Sequence, residues 1–202
     1  MLAAAISAAG LIAGCGSSGS SGGGGTTGAG AGKPLIISDV TGANWNCQFN
    51  PLSTNWPEGG PSETGVIYEP LMFVNALQTG TQANQGIHPW LATGYSWNSN
   101  LTALTFTIRK GVKFNDGTPM TPADVAFSFN VLKENGALDL QSLWKAEGGP
   151  LTSVTSSGDT VTLNFDAPSP TYFYYVAGRQ PILPEHIWSK IAPSKMPTYP
   201  DN

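Results

Sequence analysis

Alternating apolar and polar residues predict two strands in the middle of the chain. The segments LTFTI, at 104–108, and VTLNF, at 161–165, place an apolar side chain at every second position. This period is typical of strands with one buried face. The apolar, β-branched run in KPLIISDV, at 33–40, predicts a further buried strand. The apolar segment VIYEPLMFV, at 66–74, predicts a helix that passes into a strand around Pro70.

A helix is predicted to begin directly after Thr121. Thr121 suits the N-cap position, Pro122 suits the first helical position, and Asp124 places a negative charge near the positive end of the helix dipole. The apolar residues that recur at helical spacing are Val125, Phe129 and Leu132. Gly136 is predicted to end the helix, because glycine readily adopts the left-handed conformation that closes many helices.

Turn signals separate these elements. Asn115-Asp116-Gly117 predicts a turn before the helix, and Ser157-Gly158-Asp159 predicts one before the second alternating strand. Pro184 predicts the start of a second helix. Strands and helices are therefore mixed along the chain, which predicts a mixed α/β fold of the α+β type.

The N-terminal 32 residues carry no charge and form a separate region. MLAAAISAAGLIAGC is an apolar run that ends in small residues, as secretory signals do. Its last four residues resemble the bacterial lipobox, whose cysteine becomes lipidated. We therefore expect a lipoprotein signal peptide at 1–15 with lipidation at Cys15, a flexible Gly/Ser linker at 16–33, and the folded region at 34–202. Alternatively, the apolar run is cleaved or buried and Cys15 has no role.

Charge and motif content argue against several classes of function. The net charge is −4 and the nine Lys and Arg residues are scattered, whereas nucleic-acid binding needs a clustered basic surface. Two histidines and no nucleophile-elbow motif give no sign of a catalytic centre. No spacing typical of metal ligands and no phosphate-binding glycine motif is present. We expect no catalytic residues, no metal and no cofactor.

Aromatic residues in predicted loops are the remaining candidates for binding. They suit either a cleft that holds a ligand by shape and stacking or the packing of the core. These residues are Trp45, Trp56, Trp90, Trp97, Trp144 and the aromatic run at 172–175.

One long motif resembles a known family. The segment LTFTIRKGVKFNDGTPMTPADVAFSF, at 104–129, resembles the signature of the family 5 extracytoplasmic solute-binding proteins, the receptors of peptide, nickel and oligosaccharide ABC importers. Shorter segments resemble other parts of the same family, and the resemblance extends over about residues 35–191. These segments are FNP at 49–51, YEPL at 68–71, PWLA at 89–92 and ILPEHI at 182–187.

The resemblance implies a type II periplasmic-binding-protein-like fold. The chain would contain the first lobe with its inserted small subdomain, and the second lobe would follow the residues given, so that the chain is an N-terminal fragment. Asp116, Gly117 and Asp124 would then be scaffold residues. By the same resemblance, the loop that follows the first strand would contact the ligand through Asn55, Trp56 and Pro57, pairing with a peptide as an added strand.

A proline and three tryptophans bear on which ligand the protein would bind. Pro57 lacks an amide donor, which weakens strand-like pairing at that position. Trp45 and Trp56 would suit stacking on a sugar, and Trp144 falls where the small subdomain would face the cleft. Ligand contacts are therefore predicted at Asn55, Trp56, Pro57, Trp45 and Trp144.

The implied function is capture of a solute outside the cytoplasm. The protein would be lipid-anchored at the outer face of the membrane or in the periplasm, bind a peptide by hinge closure, and deliver it to ABC permease subunits without making or breaking a bond. An oligosaccharide-binding member of the family is the alternative ligand class. A surface lipoprotein used in adhesion or sensing is a different class of function, and an enzyme is a third.

Overall fold

The computed structural model describes residues 50–53, 67–75 and 86–199. The predicted signal, linker and first strand lie outside these residues. The elements are β1 (Met72–Val74), β2 (Ile87–Pro89), β3 (Ala92–Trp97), β4 (Ala103–Ile108), α1 (Pro122–Glu134), β5 (Leu151–Ser157), β6 (Thr160–Phe165) and α2 (Glu185–Trp188). Short 3₁₀ turns lie at Gly136–Leu138, Lys145–Glu147, Pro170–Tyr172 and Pro193–Thr198, and a π-helix spans Tyr174–Arg179.

The two alternating segments form the central pair of an antiparallel sheet. The strand order is β3-β4-β6-β5, and Phe106 pairs with Val161 while Leu104 pairs with Leu163. These four side chains are all fully buried. Because side chains on one face of a strand repeat every two residues, this register places both apolar sets on the same side of the sheet. Both predicted strands are confirmed.

Helix α1 covers the sheet with its predicted apolar face. Val125, Phe129 and Leu132 are buried, and α1 packs against β5 and β6. The prediction for the C-terminal end was wrong. The helix ends at Glu134, and its C-cap residue Asn135 is extended. The Asn135 side chain accepts a hydrogen bond from the amide of Ala137 and so starts a 3₁₀ turn. A Cβ atom at Gly136 would meet the Glu147 carboxylate, which can move aside because it ends a flexible, exposed side chain.

The predicted helix before Pro70 is absent. Residues 67–71 contain no helix, and the chain enters the short strand β1, which pairs antiparallel with β2. The carbonyl groups of Pro70 and Leu71 accept hydrogen bonds from the amides of Leu91 and Ala92. Pro70 also has no amide donor for a helix. Pairing with a distant segment therefore sets the conformation here.

Asp124 has a larger structural role than the predicted cap. Its Oδ2 accepts hydrogen bonds from the Thr121 amide, at 2.8 Å, and the Thr121 hydroxyl, at 2.7 Å. Its Oδ1 accepts the amide of Glu185 at 3.0 Å. The carboxylate is 6 % exposed. One buried side chain therefore stabilises the start of α1 and attaches α2 to it.

Ser128, one turn further along α1, bonds to the segment that precedes α2. Its hydroxyl donates to the carbonyl of Asp124 at 2.7 Å and accepts the amide of Leu183 at 2.8 Å. Its carbonyl accepts Nε2 of Gln180 at 3.2 Å. Ser128 is fully buried, so these bonds satisfy groups that would otherwise be costly in the core.

The turn before α1 is closed by Asp116 and Gly117. Gly117 has a φ of +87°, which glycine adopts without strain. Asp116 Oδ1 accepts the amide of Thr118 at 2.9 Å, and Oδ2 lies 2.6 Å from Nε2 of His186. The Thr118 amide and then the His186 ring hold the pKa of Asp116 at about 2, below its usual 3.8.

We predict that Asp124→Asn destabilises the protein by about 1–3 kcal/mol, because charge-assisted hydrogen bonds in a buried site are lost. Urea denaturation measures the free energy of unfolding. Glu134→Gln, an exposed change in the last turn of the same helix, is the matched control and should alter stability by less than about 0.5 kcal/mol. Equal effects of the two substitutions would contradict the assigned role.

The lowered pKa of Asp116 predicts that the protein loses stability in acid. Its native pKa lies below its usual 3.8, so the contribution is present above about pH 3.8 and is lost as the pH falls towards 2. The difference in unfolding free energy between the wild type and Asp116→Asn should shrink over that interval. A pH series of urea denaturation curves tests this, with Glu134→Gln again as control. A difference that stays constant from pH 5 to pH 2 would refute it.

Candidate ligand-binding site

All of the predicted site residues except Trp144 lie outside the described residues. They are Cys15, Trp45, Asn55, Trp56 and Pro57, and their roles stay predictions. The structure instead describes the turn from which the predicted binding loop begins, and the surface beside that turn.

Trp144 lies in the hydrophobic core. Its ring is 2 % exposed, and its Nε1 donates to the carbonyl of Phe129 at 2.9 Å. The ammonium group of Lys133 lies 5.3 Å from the ring centroid. Both the apolar ring and its polar N–H group therefore have partners within the fold. This placement fits the packing alternative for the aromatic residues, and a ligand contact at Trp144 stays a prediction.

The other aromatic residues divide between packing and surface positions. Phe173 packs against Tyr95, at a centroid distance of 4.5 Å, and stacks on Phe106. Trp97 contacts Phe165. Tyr175, in contrast, is 39 % exposed. Since consecutive aromatic residues of the run at 172–175 have different environments, sequence alone could not separate core residues from surface residues.

The Asn50-Pro51 turn is anchored by the side chain of Asn50. Its Nδ2 donates to the carbonyls of Met196, at 2.7 Å, and Tyr199, at 3.0 Å, and its Oδ1 accepts the amide of Leu52 at 2.9 Å. Asn50 is fully buried. These bonds hold both the turn and the C-terminal 3₁₀ segment. Asn55, Trp56 and Pro57, the predicted ligand contacts, follow this anchored turn in the sequence.

A small cavity of about 50 Å³ lies beside this turn. Its walls are Pro51 and Leu52, residues 138–141, and residues 179–181. Arg179, at the end of the π-helix, is exposed, and its Cζ lies 5.9 Å from the ring centroid of Tyr174. Gln180 is 4 % exposed. π-Helical turns occur frequently at functional sites, which makes this surface the candidate site that the structure describes.

A larger cavity of about 550 Å³ lies between the turn before α1 and residues 67–69. Its volume falls in the range of small-molecule sites. The Asp116 carboxylate, which is charged at neutral pH because its pKa is about 2, lies in its wall. The other lining residues are Ile67, Tyr68, Glu69, Leu91, Val112, Lys113, Phe114, Asn115, Met120, Ile182, Pro184 and Ile187.

The described residues contain neither a metal-binding cluster nor a membrane-spanning helix. Among residues 50–53, 67–75 and 86–199, no group of three His, Cys, Asp or Glu side chains could hold a metal ion. In the same part of the chain, no helix is both long enough and apolar enough to cross a membrane.

Sequence reasoning missed Arg179 and Gln180. Neither residue belongs to a motif with a recognisable spacing, and both precede a segment that the sequence presented only as the start of a helix. Their proximity to Pro51 and Leu52 arises only after the chain folds back on itself. A lone arginine is ordinarily a solvated surface residue, so no sequence signal could have singled it out.

Comparison with known proteins identifies the family. The profile of the bacterial extracellular solute-binding proteins, family 5 Middle, matches residues 86–201. The probable peptide-binding protein YejA of Agrobacterium fabrum is 30 % identical over 152 residues, which are 74 % of this chain and 22 % of the relative. The peptidoglycan-binding protein YepA of the same organism is 30 % identical over 127 residues, or 62 % and 19 % of the two chains.

Solved structures agree in fold. The mannohexaose-bound periplasmic oligopeptide-binding protein of Thermotoga maritima is 26 % identical, with a TM-score of 0.58 over 73 % of this chain and 25 % of its own. The mixed helix and sheet fold is thus part of a type II periplasmic binding protein. The chain spans about a fifth of the length of the curated relatives it matches. YejA and YepA are binding proteins by name. Because the profile match covers more than half of the chain, the chain belongs to the family 5 bacterial extracellular solute-binding proteins.

Proposed function

We propose that this chain is part of the extracytoplasmic substrate-binding component of an ABC importer, and that the protein captures a peptide and delivers it to the permease subunits. The observation that carries the proposal is the family match over residues 86–201, on a chain that folds as that family does. Binding would proceed by closure of two lobes around the ligand, with no bond made or broken.

The binding loop supports a peptide as ligand. Asn50 fixes the turn at which the loop begins, through bonds of 2.7 Å and 3.0 Å to the chain near its C-terminal end. Asn55 and Trp56 follow shortly after this turn. A loop held at its base loses less conformational freedom when it pairs with an extended peptide, which favours affinity.

An oligosaccharide is the second candidate ligand. The Thermotoga maritima relative, an oligopeptide-binding protein by name, was solved with mannohexaose. Trp45 and Trp56 offer flat apolar rings of the kind that stack on ligands by shape. Pro57 has no amide donor, which reduces the backbone pairing available to a peptide.

We also propose that the protein is lipid-anchored through Cys15. The linker at 16–33 would act as a flexible tether with a root-mean-square span of about 23 Å, from the random-coil relation for Gly-rich chains. That span would hold the binding domain close to the outer face of the cell membrane. Where an outer membrane is present, this position lies in the periplasm.

A ligand screen is the first test of the function. We predict that the full-length protein, without its signal and tether, is stabilised by at least one member of a panel of di- to pentapeptides. A ligand present at about 100 times its dissociation constant adds about 2.7 kcal/mol to the free energy of unfolding. Thermal denaturation detects this change.

Parallel arms of the same screen use cello- and xylo-oligosaccharides and nickel. Stabilisation by sugars but not by peptides would replace the peptide with the oligosaccharide. If the folded protein responds to no member of the panel, the import function is contradicted, and adhesion or sensing becomes the better explanation.

We predict that Trp56→Ala weakens binding of the ligand from the screen by at least about tenfold, because a large aromatic contact is lost. Isothermal titration measures the affinity. Phe73→Ala is the control, since Phe73 is also a large aromatic residue and is 46 % exposed, but lies on β1. The same loss of affinity in both variants would remove Trp56 from the site.

The proposed lipid anchor predicts that loss of Cys15 changes the cell fraction in which the protein is found. Cys15→Ser should move the protein from the membrane fraction to the soluble fraction of the host, because the acyl chains supply the membrane affinity. Immunoblotting of fractionated cells measures the distribution, with Cys47→Ser as the matched control. Retention of Cys15→Ser in the membrane fraction would show that another segment holds the protein there.

A further inference from the structure

We propose that the outer face of the β1–β2 pair is a second binding site, which takes a neutral oligosaccharide on three aromatic rings. The rings belong to Phe73, His88 and Trp90, and together they form the aromatic strip. This site goes beyond the proposed function, because it does not depend on which solute the importer carries. Three features support it: the spacing of the rings, a groove beside Trp90, and two charged groups in that groove.

The register of β1 and β2 places two of the rings on the outer face. Phe73 lies directly opposite His88 in the antiparallel pair. The neighbours of Phe73 face the interior, since Met72 is 2 % exposed and Val74 lies against Gly178 of the π-helix. Because successive side chains of a strand alternate between faces, Phe73 points outward, and both it and His88 are exposed.

The three rings follow one another at regular spacing. The centroid of the Phe73 ring lies 6.0 Å from that of His88 and 6.1 Å from that of Trp90. The ring planes differ by 33° and 32°, so no ring stands edge-on to its neighbour. A single exposed apolar residue is common on a protein surface, whereas a contiguous group marks an interaction site. The strip therefore suits an elongated ligand made of repeated ring units.

A groove of about 320 Å³ lies beside Trp90 at one end of the strip. Its volume falls in the range of small-molecule sites. The groove adjoins the larger cavity, because the two share Glu69, Leu91 and Val112 as lining residues. The remaining lining residues of the groove are Pro89, Trp90 and Arg109.

Glu69 and Arg109 bring acceptor and donor groups into the groove. Nε of Arg109 donates to the carbonyl of Trp90 at 2.6 Å, which holds the guanidinium group beside the strip. Within the described part of the chain, the other N–H groups of Arg109 bond to no protein group, and Glu69 takes part in no hydrogen bond or ion pair. Both side chains are exposed. A ligand in the groove would therefore find donors and acceptors that the fold does not use.

The chemistry of a pyranose fits this combination. A pyranose ring carries C–H groups on its faces and hydroxyl groups around its edge. The C–H faces would stack on the aromatic strip. The hydroxyl groups, which both donate and accept, would donate to the Glu69 carboxylate and accept from Arg109. Linked pyranoses repeat at a length close to the ring spacing of the strip, so successive units would meet successive rings.

Other partners fit the strip less well. A protein interface of standard size buries about 800 Å² on each partner. Three partly exposed rings offer less, because a fully buried aromatic side chain contributes about 150–250 Å². Single-stranded nucleic acid also stacks on aromatic rings, but Glu69 in the groove and a net charge of −4 oppose its phosphates. A neutral sugar chain meets neither obstacle.

The experiment is isothermal titration of the full-length protein with cello- and xylo-oligosaccharides of increasing length. We expect the affinity to rise with chain length until about three units cover the strip. A peptide that fills the cleft at saturation should leave this binding unchanged. Phe73→Ala should weaken it by about tenfold, because one stacked ring is lost.

Two conservative variants separate stacking from general apolar contact. Phe73→Tyr keeps a flat ring and should bind as the wild type does. Phe73→Leu keeps an apolar side chain without the ring and should behave as Phe73→Ala does. Tyr199→Ala is the matched control, because Tyr199 is an aromatic residue outside the strip and is 40 % exposed, and it should leave the affinity unchanged. Thermal denaturation checks that each variant is folded.

Several outcomes would overturn the assignment. Sugar binding that is absent from the wild type, or that is the same in Phe73→Ala and Phe73→Leu as in the wild type, would do so. Loss of sugar binding when a peptide fills the cleft would show a single site and would also overturn it. Binding of oligothymidylate in place of sugars, if lost in Phe73→Ala, would reassign the strip to nucleic acid.

The results also distinguish this site from the proposed function. If an oligosaccharide enters the cleft as well, titration should show two classes of site, and Trp56→Ala should remove one while Phe73→Ala removes the other. If no ligand enters the cleft, the proposed function fails, and the aromatic strip is still tested by the sugars and the Phe73 variants.

Discussion

The buried polar contacts between α1 and residues 180–185 determine how the described chain is assembled. Asp124 and Ser128 lie one turn apart on α1, and together they receive the amides of Glu185 and Leu183. Both side chains are buried, so their hydrogen-bonding groups must be satisfied within the protein. The same helix buries Phe129 against the sheet. One helix thus joins the sheet to the returning chain, and the position of Arg179 and Gln180 follows from it.

The elements that could be predicted from sequence are those with complete local signals. Strands β4 and β6 alternate strictly, and α1 has a cap, a first-turn proline and an apolar face. Strands β2 and β3 lack alternation, since HPWLATGYSW mixes polar and aromatic residues, and their pairing partners set their conformation. The segment at 67–71 was predicted as a helix, but it contains none, and the amides of Leu91 and Ala92 bond to the carbonyls of Pro70 and Leu71. Tertiary hydrogen bonds override local propensity in these segments.

The site was harder to predict than the fold because its parts are distant in sequence. Aromatic residues were reasonable candidates, yet Trp144 is buried and the partly buried Phe173 packs against the core, because large rings serve packing as readily as binding. The scaffold roles of Asp116 and Asp124 could be predicted from the sequence, because each side chain has a hydrogen-bond partner close by in the chain. The small cavity brings together residues 51–52, 138–141 and 179–181. Such a grouping of distant segments is not visible in a linear pattern.

The Asn50 anchor has a consequence for the order of folding. Its hydrogen bonds to Met196 and Tyr199 close separations of 146 and 149 residues. Loop-closure entropy opposes such contacts until the intervening sheet and helix have brought the two ends together. During synthesis, the donor group of Asn50 must also wait for the last part of this segment to emerge. The Asn50-Pro51 turn is therefore among the last parts to become fixed, so a partly made chain would lack the anchored turn that precedes the predicted ligand contacts.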